Sequence, residues 1–431
     1  MKRLILIILI LVFLGISLFV FLRGRSTTKV DSFGEIVWWG LWEDEITISP
    51  LIAEYEAKNP KVKIKYIMQS KQDYRERLTN ALVKGTGPDI FSFHNSWVPM
   101  FKNYLDQLPA SVMTPSEFSQ TYYPVIIGDL TSGTGILGIP LGYDALTLFI
   151  NSDIFAGSGK NPPATWDDLR SLAIELTKKD DQGVIIQSGV ALGRTENVDN
   201  WQEILALMML QNGVDLTNPT GKLAEDALTF FTLFSKSDGV WDASLPTSTA
   251  MFAGGKLAMY IAPSWRVFEI ARLNPSLNFK TVPLPQLAKG NSNQKDVGYA
   301  TYWVQGVSNK SQNKKTAWDF LKFISSKESL SKIFANASKQ RNFGEVYPRM
   351  DMTNLLTDHP VLGSIVSGAP NARSWFLQSR TFDGPTGINS LLSKYFEDAI
   401  NAVNSGSTAI NVLPTASQGI IQVLKQYGLA R

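Results

Sequence analysis

At 431 residues, with 44% hydrophobic and 18% charged side chains, the chain is long enough to bury a large core and to form two lobes rather than one. Its 41 basic and 38 acidic residues nearly cancel, and no Lys/Arg-rich run stands out beyond the N-terminus, which argues against an electrostatic nucleic-acid binder. Cysteine is absent, which excludes disulfides, thiolate metal sites, cysteine nucleophiles and a cysteine-borne lipid anchor.

The first segment carries its own signal. Residues Leu4 to Leu22 form an aliphatic and Phe-containing run broken only by Gly15 and Ser17, between Lys2-Arg3 and Arg23-Gly24-Arg25. As a helix this run spans roughly 28 Å, close to the hydrocarbon thickness of a bilayer. "FLRGRSTTKVDSF" offers no Ala-x-Ala-like cleavage site, so the expectation is an uncleaved membrane anchor, with a cleaved signal segment as the alternative. Residues 27–33 read as a short polar tether.

From Gly34 strand and helix alternate. "EIVWW" reads as a strand, "TISPLIAEYEAKNP" as a helix stopped by Asn59-Pro60, and "KVKIKYI" as a second strand. "KQDYRERLTNALVKG" has helical spacing through Tyr74, Leu78 and Leu82, and "DIFSF" is a third strand. This βαβαβ order predicts a largely parallel sheet. In such sheets ligands are met beyond the carboxyl ends of the strands, which singles out Trp38 to Glu43 after the first strand and Asn95 and Trp97 after the third. The plainer alternative is that these residues only cap the sheet and pack beneath loops.

Further along, "GILGIPLGYDALTLFINSDIF" holds two short strand-like runs around Gly142-Tyr143-Asp144, a plausible crossing between lobes. In "NPPATWDDLRSLAIELTKKDDQG", Thr165 is a helix N-cap with Asp168 three residues on, an acidic capping box. Trp166 there, and Trp318 in "KKTAWDFLKF", sit at helical spacing and are expected in the core. "TSTAMFAGGKLAMYIAPSW" reads as a short helix closed by Gly254-Gly255, a strand, and Trp265 beyond the strand's end.

The ordered series "ITISPLIAEYEAKNPKVKI", "GTGPDIF", "PLGYDALTLFINSDIF", "PPATWDDLRSLAIELT", "MFAGGKLAMYIAPSW" and "KKTAWDFLKFISS" resembles the family 1 extracellular solute-binding proteins, the sugar-binding components of ABC importers. The resemblance spans Glu35 to about Phe323. It implies an α/β, periplasmic-binding-protein-like clamp of two lobes, each a mixed, mostly parallel sheet flanked by helices, behind an N-terminal transmembrane helix. The expected division is 1–33 for the anchor and tether, 34–143 and 262–310 for the first lobe, and 144–261 and 311–431 for the second. Carried over by position, the resemblance places Trp42, Glu43, Asn95, Trp97, Tyr143, Asp144 and Trp265 at the cleft, and "GYATYWVQGVSNKS" adds Tyr302 and Trp303. Independently of it, a sugar presents flat C–H faces and a rim of hydroxyls, which call for aromatic plates beside groups able to hydrogen-bond. The implied partners are a carbohydrate, ABC permease subunits and, through the N-terminal helix, the membrane, with a monomeric chain held extracytoplasmically. The chain departs from the family pattern in having no cysteine for a lipid, a tethering role the N-terminal run would take over.

Enzymatic alternatives find little support in motifs. His94 and His359 are the two histidines, and no His-x-x-x-His or Glu-x-x-His spacing is present to hold a metal. "GGKL" lacks the Ser/Thr and upstream glycine of a phosphate loop, and "KDDQG" lacks the alternating ligands of a calcium loop. No cofactor is expected. A membrane-tethered carbohydrate-active enzyme and a sensor that presents bound ligand to a membrane partner stay open as alternatives, since a glycosidase needs only two carboxylates.

Overall fold

The computed structural model describes residues 34–289 and 295–430. The expected membrane-spanning segment, Leu4 to Leu22, lies outside the described residues. Among these, no helix is long and apolar enough to cross a membrane.

The chain starts as read from the sequence: β1 (Glu35–Gly40), α1 (Glu45–Lys58), β2 (Lys63–Met68), α2 (Tyr74–Lys84) and β3 (Ile90–His94). Asp44 starts α1 by accepting a hydrogen bond from the Thr47 amide at 2.9 Å, and α2 ends at Gly85, whose φ of 72° suits a residue without a Cβ. Beyond α3 (Pro124–Leu130), the short β4 (Ile139–Pro140) leads to Tyr143-Asp144 and into the second lobe. That lobe holds β5 (Leu146–Asn151), α4 (Trp166–Leu176), β6 (Lys178–Lys179), β7 (Ile185–Val190), α5 (Trp201–Gln211), α6 (Lys222–Lys236), β8 (Leu257–Pro263), α7 (Arg266–Leu273) and β9 (Phe279–Val282). The chain then returns to the first lobe as β10 (Trp303–Val307), α8 (Lys314–Ile324) and α9 (Lys327–Ala337), and ends with α10 (Ile388–Asn404) and α11 (Ala409–Gln426).

Two five-stranded sheets result, in the orders β2-β1-β3-β10-β4 and β9-β5-β8-β7-β6. Both are mixed, as expected, but neither is mostly parallel. In the first, β1 runs parallel to β2 and β3 while β10 is antiparallel to β3 and β4. In the second, β8 and β7 are parallel and the other neighbours are antiparallel. The cause is connectivity: β5 and β10 enter their sheets from the other lobe rather than through a crossover helix, so nothing forces them parallel.

Lobe membership also differs from the expected division. Residues 262–282, expected in the first lobe, carry the end of β8, α7 and β9 of the second sheet. Residues 314–337, expected in the second, form α8 and α9 against α1, with Tyr55 and Phe320 rings 5.0 Å apart and Lys332 Nζ 2.8 Å from Glu54. The terminal helices α10 and α11 pack on α6, on the second sheet's side. The Thr165/Asp168 capping box is formed, and Trp166 and Trp318 are buried.

Candidate ligand-binding site

Strand ends of both lobes converge on one cavity of about 350 Å³. Its first wall is the segment after β1, with Trp42 and Glu43, together with Trp303 at the start of β10. The facing wall is Trp265, just past β8, with Asn200 and Glu203 at the start of α5. Tyr143, Asp144 and Tyr302 lie at the crossing between lobes, and Ser379, Arg380 and Phe382 close the remaining side.

The crossing is a bundle of chain passages tied edge to edge. Tyr143 bridges to Val346, and Ala145 to Ala300. Asp144 is its knot. One carboxylate oxygen accepts from the amides of Ala145 at 2.8 Å and Ser264 at 3.1 Å; the other accepts from Ser264 Oγ at 2.9 Å and the Trp265 amide at 3.3 Å. Burial pushes the Asp144 carboxyl up to about 7, against the pull of these hydrogen bonds.

The aromatic plates have distinct supports. Trp42 is 38% exposed, an unusual state for the largest apolar side chain, and meets Trp303 edge-on at 5.4 Å and Phe382 at 6.1 Å. Lys71 Nζ lies 5.9 Å from the Trp42 ring and 5.1 Å from Phe382. Trp265 is half-buried, with the guanidinium carbons of Arg266 and Arg380 at 4.5 and 5.2 Å from its ring centre. Arg266 is itself buried and bound to Asp199 and Glu269, so it forms a fixed part of the Trp265 support.

Charge at the cavity is largely internally matched. Arg341 binds Glu43 at 2.7 Å and Glu345 at 3.0 Å, and its guanidinium lies 5.1 Å from the Phe268 ring on α7 of the opposite lobe. Burial, reinforced by Glu345, nonetheless raises the Glu43 carboxyl to about 7. Glu203 accepts from the amide and hydroxyl of Ser379 at 2.6 and 2.8 Å through one oxygen, while its other oxygen has no partner among the described residues. The Tyr143 hydroxyl is likewise unpartnered there. His94 is driven by burial down to about 3 and so is neutral, its ring nitrogens at 2.7 Å from Ser96 Oγ and 3.1 Å from Thr301 Oγ1. Among the described residues no group of three or more His, Cys, Asp or Glu is placed to hold a metal ion.

Of the residues singled out in the sequence, Trp42, Glu43, Tyr143, Asp144, Trp265, Tyr302 and Trp303 line this cavity. Asn95 and Trp97 do not, and their places correct the expectation. After β3 the chain makes a tight 3-10 turn, Asn95–Trp97, that swings both side chains under the sheet edge. Trp97 is fully buried, stacked on Phe101 at 5.6 Å and on Tyr74 at 6.2 Å, with its edge contact to Trp303 at 5.3 Å. It backs a cavity plate without reaching the cavity. Asn95 donates to Asp129 at 2.9 Å and holds the backbone of Tyr302, whose hydroxyl donates to the same Asp129 carboxylate at 2.7 Å.

Sequence reasoning did not find Lys71, Asn200, Glu203, Arg341 or Arg380. A weak signal existed only for Asn200, which sits at φ 62°, a conformation asparagine tolerates better than most residues. The rest are ordinary charged residues that tertiary folding brings to the cavity.

Comparison with known proteins fits this geometry. A family model described as bacterial extracellular solute-binding protein matches residues 42–330. The maltotriose-binding protein of Pyrococcus abyssi is 20% identical over 390 residues, covering 85% of this chain and 81% of the relative. Among solved structures, the sugar-binding protein MalE of Xanthomonas citri is similar with a TM-score of 0.74 at 17% identity, over 91% of this chain and 98% of that one. A cyclo/maltodextrin-binding protein complexed with maltotetraose gives a TM-score of 0.70 at 17% identity, over 93% and 98% of the two chains. At such identities the likeness to solved structures speaks for the fold.

Proposed function

The chain belongs to the bacterial extracellular solute-binding proteins, and from that premise we propose that it captures a carbohydrate between its two lobes and delivers it to an ABC-type importer. The observation that carries this reading is the convergence of Trp42 and Trp303 from one lobe and Trp265 from the other on a single cavity, beside carboxylate, amide and guanidinium groups. Aromatic faces match the C–H faces of a pyranose, and the polar groups match its hydroxyls. The 350 Å³ cavity falls within the ~300–1,000 Å³ usual for small-molecule sites. No chemistry on the ligand is part of this proposal.

We place the protein outside the cytoplasm, acting as a monomer and tethered through the apolar run at residues 4–22, on sequence grounds. Intact mass of protein recovered from membranes checks this tether; a start near Thr27 or later refutes it. Ligand class is tested by thermal shift across mono- and oligosaccharides, because a ligand that binds only the folded state raises its melting temperature. No shift with any saccharide, alongside a clear one with spermidine or an amino acid, refutes the carbohydrate reading.

A further inference from the structure

A second, more open cavity of about 440 Å³ lies behind the first, and the two share one stretch of chain, with Ser379, Arg380 and Phe382 lining both. The far side of this second cavity is polar. Trp201 and Gln202 at the start of α5 face Ser390, Ser393 and Lys394 on α10.

The shared wall is hydrogen-bonded at its ends and held by ring contacts in its middle. At one end Ser379 is held by Glu203 through both its amide and its hydroxyl. At the other, Asp383 accepts from the Asn389 amide and the Ser390 hydroxyl, each at 2.7 Å, at the start of α10. Between these pins Arg380 and Phe382 take φ values of 51° and 55°, a left-handed conformation unfavourable for bulky side chains. Among the described residues, no hydrogen bond is made by Arg380, Thr381 or Phe382. Arg380 lies over the Trp265 ring and reaches carboxylates only at long range, 3.9 Å from Asp199 and 4.0 Å from Glu269.

Each cavity also has a buried acceptor without a donor. Glu203 lines the first and Gln378 the second, and one side-chain oxygen of each is unpartnered among the described residues. The Gln378 amide nitrogen is committed to the Ala300 carbonyl at 3.1 Å, which orients its oxygen as the free group. Buried acceptors without donors are costly, and a polyhydroxylated ligand supplies donors at close intervals.

We propose that the second cavity is a subsite of the same ligand site. It receives the far end of an oligosaccharide whose near end lies between the lobes, and Arg380–Phe382 is the segment that shifts to let the chain through. The strained middle gives up an unfavourable conformation in that shift while Ser379 and Asp383 hold the ends in place. The inference rests on the carbohydrate reading above and adds to it a ligand of at least three sugar units.

The test is calorimetric titration of the full chain with the one- to four-unit members of the maltose, β-1,4-mannose and chitin series. In the series that binds, the three- and four-unit ligands are expected to bind about tenfold or more tightly than the two-unit one. Ser393→Trp, which fills the second cavity, should erase that gain while leaving the two-unit affinity within about twofold. Lys394→Ala, which removes an exposed side chain paired within its own helix to Glu397 and Asp398, should reduce only the affinity for the longer ligands. Equal affinities for two and four units, or losses in the variants that fall equally on all lengths, overturn the subsite while leaving the carbohydrate reading intact. Absence of binding by every member of every series overturns both.

Discussion

Replacing Trp265 by Ala separates a plate of the cleft from a piece of core. The side chain is half-buried at the cavity, its ring beside the guanidinium groups of Arg266 and Arg380, and its amide tied to Asp144. Truncation leaves the amide bond to Asp144 in place and removes only the ring. If that ring is covered by ligand, the loss is comparable to burying one aromatic side chain, about 1–3 kcal/mol. This corresponds to a ~5- to 150-fold weaker Kd. Folding loses less. The two cation–π contacts are each about 0.5–1 kcal/mol at exposed sites, giving roughly 1–2 kcal/mol, whereas truncating a fully buried Trp costs about 3–5 kcal/mol. Calorimetric affinity for a saccharide that binds and the urea midpoint, measured on the same variant, separate the outcomes. Unchanged affinity with a large drop in midpoint would refute the assignment of Trp265 to the ligand.

Trp97→Ala is the counterpart: buried between Phe101 and Tyr74, it should lose about 3–5 kcal/mol of stability, and a midpoint within error of wild type would contradict its place in the core. For Asp144, a folded-state pKa raised to about 7 from 3.8 contributes stability that is present below pH ~4 and lost as pH rises through about 7. Wild type should therefore lose more stability between pH 5 and 8 than Asp144→Asn, and parallel profiles would count against this; Glu43, shifted in the same direction, keeps part of the slope in both. Arg341→Met leaves Glu43 and Glu345 without their shared cation, so its stability deficit should be larger at pH 8 than at pH 5, and Glu345→Gln should reduce the difference. Equal deficits at the two pH values would mean that Arg341 acts by packing on Phe268 rather than by charge.

What the sequence disclosed follows from which forces are local. The first strands and helices were legible because apolar periodicity and end signals such as Gly85 and the Thr165 cap act within a few residues. Trp265 and Trp303 line the cavity because each lies where strand meets loop on the cavity side, Trp265 past the end of β8 and Trp303 at the start of β10 opposite the end of β3. The strand-end rule failed for Asn95 and Trp97, because it gives the position of a residue along the chain and not the direction of its side chain. A 3-10 turn in place of an extended exit sent both inward. The lobe boundaries were misplaced because the described parts of the return passages, around 283–289, 295–302 and 338–349, hold no helix and carry no periodic signal. Arg341 and Arg380 were invisible for a related reason: their role comes from partners 298 and 181 positions away, Glu43 and Asp199.

The distribution of contacts between the lobes bears on how such a clamp closes. Near the crossing they are buried and hydrogen-bonded: Ser96 Oγ donates to Asn389 at 2.9 Å, Ser374 to Asp129, and the Ser264 turn to Asp144. At the mouth they are few and only partly buried. Trp42 meets Phe382 at 6.1 Å, Arg341 lies over Phe268, and Arg75 donates to Thr386 at 2.7 Å. Exposed polar contacts of the latter kind contribute about 0–1 kcal/mol each. The side chains at the mouth therefore supply little to favour closure by themselves, while the buried bonds resist separation at the crossing and confine motion to rotation about it. Moving such an equilibrium from mostly open to mostly closed takes about 5.5 kcal/mol of differential binding, more than the mouth contacts offer. The remainder must come from a ligand that touches both walls at once, which is what plates on opposite lobes at Trp42 and Trp265 allow.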